Sequence, residues 1–397
     1  MLVTMKFILF VLALLCGCGF FDLYPQIPIL SYIDELIVVF FLLNVFSTKR
    51  VSDTSGKLWI SIVVFFLYFI YSLIWGVNSW RAALIDLIIQ LKPYVIFYCA
   101  LITGYNISEQ QKKKIIKLVL AIALIMLPYG FVYAYTADGD AFIHPSRYAT
   151  MYEMLALTFL YCVKGQYRER LMAFAIVCIG LLSFRAKIIG FIVVFFYILF
   201  VQKRKVRLNF KYLFVGCFLV LAVIYVAREK IFLYFISGSQ GEVVFARTAL
   251  YQGAFEILKD YVPFGSGLGS FATYASGLYF SPLYYTMPLL RASELSDGKF
   301  ISDTFYPSLA QFGIIGVWLY IMFWVNCLKR VSRIYCYGDL NIEYKSALLI
   351  VLFFVIEGVA DSTFTQNRGV FLMLLFAMFI NKGLIKSKEC QLKNNKR

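Results

Sequence analysis

Long apolar runs recur along the whole chain, and they constrain the fold more than any other feature of the sequence. A helix of about 20 apolar residues spans the hydrocarbon core of a bilayer, which is about 30 Å thick. With 61% hydrophobic residues and a mean hydropathy of +0.78, the chain has too little polar sequence for a soluble domain. We therefore expect an all-α polytopic integral membrane protein. About twelve transmembrane helices are predicted, at residues 7–21, 29–46, 58–76, 82–103, 116–135, 148–163, 171–184, 188–201, 212–227, 306–328, 346–361 and 369–381.

The distribution of basic residues predicts the orientation. About two-thirds of the 38 Lys and Arg residues precede the first run, fill every second gap between runs, or follow the last one, and such segments stay on the inner side of a membrane. Both termini are therefore predicted to lie inside. In a soluble protein a net charge of +16 would suggest nucleic-acid binding, but loops that face anionic lipid account for it here. We expect the bilayer, and no nucleic acid, as a partner.

This orientation divides the chain into four parts. Spans one to nine occupy residues 1–227, one large outer segment occupies 228–305, spans ten to twelve occupy 306–381, and a basic tail follows at 382–397. The first run also resembles a signal peptide, since such peptides are short apolar runs, but a first spanning helix is the favoured interpretation.

The cysteines and the single histidine limit the chemistry. All nine cysteines lie in predicted spans or on the inner side, so no disulfide framework is expected in the outer segment. One histidine and no cysteine cluster argue against a His/Cys metal site. An oxygen-ligand site for a hard cation stays open. No metal and no cofactor are predicted.

Two pairs of spans are too short to cross the bilayer twice. Residues 171–201 must leave and return to the inner side, yet as helix they cover about 46 Å where two crossings need about 60 Å. Their tip, residues 183–187, is therefore predicted to lie below the outer surface in a protein-lined cavity. Residues 346–381 are also short for two crossings, although the shortage is smaller. Charged residues lie around their turn at Glu357, Asp361 and Arg368.

Charges at bilayer depth are candidates for function. Each costs about 3 kcal/mol or more to place there, so a structural or chemical reason must retain it. For Arg185 and Lys187 the alternative is that the side chains reach the headgroups. Asp86 and Lys92 in span four have two interpretations as well, a direct role or pairing with other helices.

The outer segment combines a predicted amphipathic helix, Val243–Lys259, with a glycine-rich turn at Gly265, Gly267 and Gly269. The spacing does not fit a dinucleotide fingerprint. Glycines permit a positive φ and the close approach of another backbone or of a sugar. Aromatic residues crowd the segment, either as an interfacial belt or as stacking surfaces for sugars. Asp303, at the mouth of span ten, has two open interpretations, a helix cap or a general base.

Three patches resemble the O-antigen ligase/polymerase superfamily of membrane glycosyltransferases. They are Ser183-x-Arg185 at the hairpin tip, the run from Arg247 through Tyr251 to the glycine-rich turn, and Asp303 followed by Gly313 and Gly316. The layout of about a dozen spans with one large late outer loop is similar too. Ligases of this family place a histidine near the end of that loop, where this chain has Asp303. The difference favours the polymerase branch.

The resemblance implies a nucleotide-independent polymerase of undecaprenyl-diphosphate-linked oligosaccharide repeats in the bacterial inner membrane, with its active site facing the periplasm. A flippase and a chain-length regulator would be further partners. Arg185 and Arg247 are the implied ligands of the leaving diphosphate, because arginine binds phosphate oxygens in a bidentate manner. Asp303 is the candidate base, although acidic neighbours in the segment remain alternatives. The candidate substrate-binding residues are Lys187, Arg291, Arg147, Gly265, Gly267 and Gly269.

Two rival functions stay open at this stage. A ligase would transfer finished glycan to a lipid A core by the same chemistry. A flippase for lipid-linked oligosaccharides also has about a dozen spans, but transporters commonly show two related halves, and this sequence shows no such repeat.

Overall fold

The computed structural model describes residues 2–23, 30, 32–47, 53–135, 144–202, 205, 245–335 and 341–394. Within these ranges all the regular elements are helical. The α-helices are α1 (Leu2–Gly17), α2 (Ile33–Ser47), α3 (Asp53–Trp75), α4 (Trp80–Ile102), α5 (Glu109–Tyr135), α6 (Pro145–Cys162), α7 (Tyr167–Ile179), α8 (Ala186–Phe196), α9 (Ala246–Asp260), α10 (Tyr274–Leu278), α11 (Leu283–Thr286), α12 (Pro288–Arg291), α13 (Gly313–Arg333), α14 (Ile342–Glu357) and α15 (Asn367–Asn394).

Among the residues that the structure describes, five helical segments are long and apolar enough to cross a bilayer. They are Thr54–Trp75, Trp80–Ile102, Glu109–Val132, Tyr306–Arg333 and Asn367–Ser387. The protein is therefore an all-α chain with the multi-pass character that its apolar runs predict. The predicted span 212–227 lies outside the described residues, as does the beginning of the outer segment.

Helices α4, α6 and α15 form the centre of the molecule. In the most apolar stretch of each helix, 72% of α15 is buried but only 17% of α3, and α6 is buried throughout from Tyr148 to Cys162. The rings of Phe97 and Phe376 stack at 5.2 Å between α4 and α15. A helix that is apolar on all sides belongs inside such a bundle, whereas α3 leaves apolar side chains exposed.

The short hairpin predicted between residues 171 and 201 is present. Helix α7 has 13 residues and α8 has 11, followed by a π-helical turn over Tyr197–Val201. At 1.5 Å per residue, α7 is about 20 Å long, well short of the apolar thickness of a bilayer.

The last helix differs from the prediction. Helix α15 continues from Asn367 to Asn394, through most of the segment that we predicted to be a separate basic tail. Its Lys and Glu residues are good helix formers, and Lys382 and Lys386 form ion pairs with Glu343 of α14 at 3.3 and 3.0 Å. The charge pattern predicted the side of the membrane but not the continuity of the helix.

The described part of the outer segment has its own small apolar core. Helix α9 packs on this core, whose largest side chains include Phe271, Tyr284 and Leu290. The segment then continues into a 3-10 helix over Tyr306–Phe312, which joins α13 at Gly313. The predicted helix Val243–Lys259 thus exists as α9, with slightly different ends.

Candidate functional site

The hairpin tip, residues 183–187, joins α7 to α8 through one left-handed residue. A 3-10 turn over Gly180–Ser183 follows α7, and the amide of Phe184, at φ +51°, donates to the carbonyl three residues earlier at 2.9 Å. Arg185 is extended and directly precedes α8. The break in the helix therefore places Arg185 and Lys187 at the junction of the two short helices.

Lys187 belongs to a buried ion cluster, which we define as Lys187, Glu357, Asp361 and Arg368. Its ammonium lies 2.7 Å from Glu357 Oε2 and 2.9 Å from Asp361 Oδ2. Arg368 Nη2 lies 3.2 Å from Asp361 Oδ1. The Lys187 side chain is only 9% exposed, so it does not extend to the protein surface. The structure gives Lys187, which was predicted to bind substrate, two carboxylate partners.

Hydroxyl groups donate to the carboxylates of the cluster, and one of them attaches the first turn of α6 to it. Thr363 Oγ1 donates to Glu357 Oε2 at 3.1 Å, and Ser146 Oγ donates to Asp361 Oδ2 at 2.8 Å. Ser146 lies in the first turn of α6, and its amide donates to Nδ1 of His144, the residue that caps this helix, at 3.3 Å. The pKa of His144 is lowered by burial and next by the positive charge of Arg185. The outer loop that carries His144 therefore lies beside the hairpin tip.

Sequence reasoning missed one acidic residue near this cluster. Glu153 on α6 is 1% exposed, and neither of its carboxylate oxygens has a hydrogen-bond partner among the described residues. The charges of Glu357, Lys187 and Arg368 act on it. The available signal was an acidic residue inside the apolar run 148–163, which is expensive at that depth.

Helix α9 is attached to the segment that follows Glu357. Tyr251 Oη donates to the carbonyl of Val359 at 2.9 Å, and Arg247 Nη2 donates to the carbonyl of Ala360 at 3.5 Å. These two side chains are one helical turn apart, so they lie on one face of α9. Arg247 and Tyr251 of α9 thus contact the turn between α14 and α15 directly.

Arg247 also faces Asp303, which is 56 residues later in the chain. Arg247 Nη2 lies 3.6 Å from Asp303 Oδ2, and the two side chains are 25% and 48% exposed. Asp303 does not cap the helix that follows, because that helix begins at Tyr306 after Phe305 and has no side-chain cap. Partial burial raises the pKa of the Asp303 carboxyl above its ordinary value, although Arg247 opposes the shift.

Arg185 completes the group of predicted catalytic residues. It is half-buried, and its charge acts on Asp303 as well as on His144. Among the described carboxylates, none lies within 4 Å of its guanidinium. The structure therefore brings Arg185, Arg247 and Asp303 to one region, although they come from three separate parts of the sequence.

The glycine-rich turn serves the packing of the protein itself. Gly265, Gly267 and Gly269 are buried at φ +82°, +91° and +69°. An added Cβ would meet the carbonyl of Gln311, the Cα of Gly76 and the carbonyl carbon of Ala82 within 3 Å, respectively. Of the two interpretations that the sequence left open, backbone or sugar, the structure shows backbone at all three positions.

Both charges in span four have partners. Asp86 Oδ2 accepts from the amide of Gly269 at 2.9 Å and from Gln311 Nε2 at 2.8 Å, which fastens the glycine-rich turn to α4. Lys92 is paired with Asp34 and Glu35 of α2. The interpretation that these residues pair with other elements is confirmed.

The two remaining predicted arginines differ in position. Arg147, in the first turn of α6, is exposed and lines a cavity of about 840 Å³ that also reaches Arg368. Arg291, at the end of α12, is exposed on the outer segment. In the described residues there is no group of three or more His, Cys, Asp or Glu side chains arranged to hold a metal ion.

No protein-family model matches this sequence, and a search of curated proteins gave no match. The function is therefore inferred from the site. The site combines two guanidinium groups, one partly exposed carboxylate and a rigid support of paired charges, a set that suits stabilisation of a departing anion together with removal of a proton.

Proposed function

We propose that this chain is a membrane glycosyltransferase that polymerises polyprenyl-diphosphate-linked oligosaccharide repeats. In this proposal the chain crosses a bacterial inner membrane about twelve times, keeps both termini in the cytoplasm, and carries out the reaction on the periplasmic face. The large outer segment between spans nine and ten then holds Arg247 and Asp303 above the membrane. The product is O-antigen or a related surface polysaccharide.

The contact between Arg247 and Asp303 supports this proposal more than any other observation. The two residues belong to different patches of the family resemblance, and the structure places them 3.6 Å apart beside the hairpin tip. The tip carries Arg185, from the third patch. Two arginines and a partly exposed carboxylate from distant parts of the chain suit a reaction that needs an anion site next to a base.

The reaction follows from the roles of these groups. The hydroxyl oxygen of the acceptor sugar attacks the anomeric carbon of the growing glycan, and the bond from that carbon to the diphosphate oxygen breaks. The bonding electron pair leaves with the polyprenyl diphosphate, and the hydroxyl proton goes to Asp303. Arg185 and Arg247 stabilise the charge that develops on the diphosphate. Since the donor is already activated, no nucleotide is needed.

Lys187 has a positioning role in this scheme. Its ion pairs with Glu357 and Asp361 fix the hairpin tip to the turn that also accepts Arg247 through the Ala360 carbonyl. The buried ion cluster thus holds two arginines from distant parts of the chain at one site.

A deletion strain tests the proposal through its surface lipopolysaccharide and its polyprenyl-linked glycans. We expect the long-chain ladder to disappear while a core bearing one repeat survives. Bare core with long glycan accumulating on the polyprenyl carrier would instead indicate a ligase. Single repeats trapped on the cytoplasmic face would indicate a flippase, and an unchanged ladder would overturn all three.

A further inference from the structure

The 840 Å³ cavity is lined in part by the 358–366 turn, the same turn that Arg247 contacts through the Ala360 carbonyl. Carbonyls of Val359 and Ala360 contact α9, whereas Ser362 and Thr365 line the cavity. Its volume falls in the range of pockets that enclose whole small-molecule ligands, about 300–1,000 Å³. Of the buried ion cluster, Arg368 lines this cavity.

Polar side chains line one part of the cavity, and mainly apolar side chains line another part. One part is formed by neutral hydroxyl and amide side chains, which are Thr273, Ser302, Ser308, Ser362, Thr365 and Gln366. The other part is formed by α2 and α4, with apolar side chains that include Val39, Ile85, Ile88 and Ile89 and with the ion pair of Glu35 and Lys92. From Ile85 to Lys92 the cavity follows α4 for about 10 Å, within a helix that is long enough to span a membrane.

This division fits an amphiphile with an uncharged polar head and a hydrocarbon tail. Hydroxyl and amide groups both donate and accept, as sugar hydroxyls require. Tyr274, which is 59% exposed and lines the cavity, offers an aromatic face for a sugar ring. Arg147 and Arg368 add positive charge at the same cavity, where the diphosphate between sugar and tail would lie.

The cavity also reaches the predicted base. Ser302 lines it and directly precedes Asp303. A sugar bound against Ser302 would therefore lie one residue from Asp303, whose carboxylate faces Arg247 and a donor diphosphate bound there. The two substrates of a polymerase need two such sites.

We infer that this cavity is the acceptor site, and that it binds the sugar end of an incoming polyprenyl-diphosphate-linked repeat with the polyprenyl chain along α2 and α4. This inference rests on the proposed function and adds to it the location of the second substrate. Arg147, which was predicted as a substrate ligand, then belongs to the acceptor and not to the donor.

Photo-crosslinking tests the occupant of the cavity. A benzophenone amino acid is placed at position 89 in the cavity, and at position 70 on α3 as a matched control, because Ile70 is 39% exposed and lies outside the cavity. The purified full chain is reconstituted in phosphatidylethanolamine/phosphatidylglycerol vesicles that contain undecaprenyl-diphosphate N-acetylglucosamine as a minor component. We expect position 89 to capture this lipid about tenfold more than position 70, a preference of about 1.4 kcal/mol. Equal capture at the two positions, or phospholipid alone at position 89, overturns the site.

A second measurement uses variants in cells. We expect Ile89→Trp, which fills the cavity, to reduce polymer about tenfold at unchanged protein level, a loss of about 1.4 kcal/mol, and Ile70→Trp to have no effect. If Ile89→Trp lowers the protein level, Tyr274→Ala replaces it, since an exposed tyrosine contributes little to folding, and normal polymer from that variant overturns the sugar contact.

The outcomes separate this inference from the proposed function. Polymer that requires Arg247 and Asp303 while position 89 captures no polyprenyl lipid would remove the acceptor site and leave the proposed function intact. Normal polymer from a strain carrying Arg247→Ala would remove the proposed function, whereas capture at position 89 would still identify a binding site.

Discussion

Two groups of charges lie within one region of this protein, and they are held very differently. In the buried ion cluster, two cations face two carboxylates at 2.7 to 3.2 Å, and the Lys187 and Glu357 side chains are 9% and 2% exposed. The Arg247–Asp303 pair is separated by 3.6 Å, and nearly half of the Asp303 side chain is exposed. Lys187 and Glu357 are closed to ligands, and Arg368 is the cluster member that lines the cavity, whereas the Arg247–Asp303 pair is open to ligands.

The energies of the two groups differ accordingly. An exposed ion pair contributes about 0–1 kcal/mol to stability. Removing one member of a buried pair costs about 3–5 kcal/mol, because its partner is left charged without compensation. The cluster therefore stabilises the fold, whereas the pair is available for chemistry. Variants of the cluster should lower the amount of folded protein, and variants of the pair should lower activity alone.

Asp361→Ala should give the largest effect. It leaves Lys187 and Arg368 without a shared carboxylate and removes the acceptor for Ser146, so we expect a loss of about 3–5 kcal/mol in stability. The measurement is the protein level in membranes together with thermal unfolding in detergent. The matched control is Asp303→Ala, which should unfold within a few degrees of wild type. Equal stability of the two variants would contradict the comparison.

Asp303→Asn should remove activity and spare the fold. Loss of a general base costs about 10²–10⁴-fold in rate, whereas the stability change should stay within about 1 kcal/mol. Polymer length on a gel, normalised to the protein level, is the measurement. An active Asn variant would show that another group accepts the proton, and His144 and the acidic residues of the outer segment would be tested next.

Arg185→Lys should be nearly as damaging as Arg185→Ala. An ammonium cannot reproduce the bidentate contact of a guanidinium with phosphate oxygens, and we expect a loss of about 10²-fold or more. Arg81→Lys is the control, since Arg81 is exposed in the first turn of α4 and should tolerate the change. Full activity of the Arg185→Lys variant at normal protein level would exclude the phosphate role of this residue.

The pH dependence of polymer formation should give the smallest effect. The pKa of Asp303 is raised above its ordinary value of about 3.9, chiefly by burial. A base acts in its ionised form, so activity should be complete above this raised pKa and should fall as the pH decreases through it. Initial rates in reconstituted vesicles, measured as the pH is lowered from 7, would show the decline. The residual rate of Asp303→Asn should lack it, and a decline shared by both proteins would assign the titration to another group.

Much of the architecture followed from the sequence because hydrophobic length is a local property. The apolar runs predicted the helices, and the shortage of residues between 171 and 201 predicted a broken hairpin, which the structure shows at Phe184. The continuation of α15 through the basic tail was not predicted, since charge patterns indicate the side of the membrane and not helix continuity.

The sequence identified the candidate residues of the site but not their partners. Arg185, Arg247 and Asp303 stood out by motif, and Glu357, Asp361 and Arg368 by their charge at bilayer depth. Nothing local indicated that Lys187 pairs with carboxylates 170 residues away, or that the glycine-rich turn packs on Ala82 and Gly76. Ion pairs and close backbone contacts depend on which helices become neighbours.

The sequence by itself determined that this chain is helical, apolar and multi-pass, because each of those properties is read from the length and composition of single segments. Only the tertiary structure decided which charges are neutralised inside and which stay open beside the cavity. The physical reason is that burial and pairing belong to contacts between segments distant in the chain. One sequence pattern, a cation at a helix junction, therefore gives a structural lysine at position 187 and an available arginine at position 185.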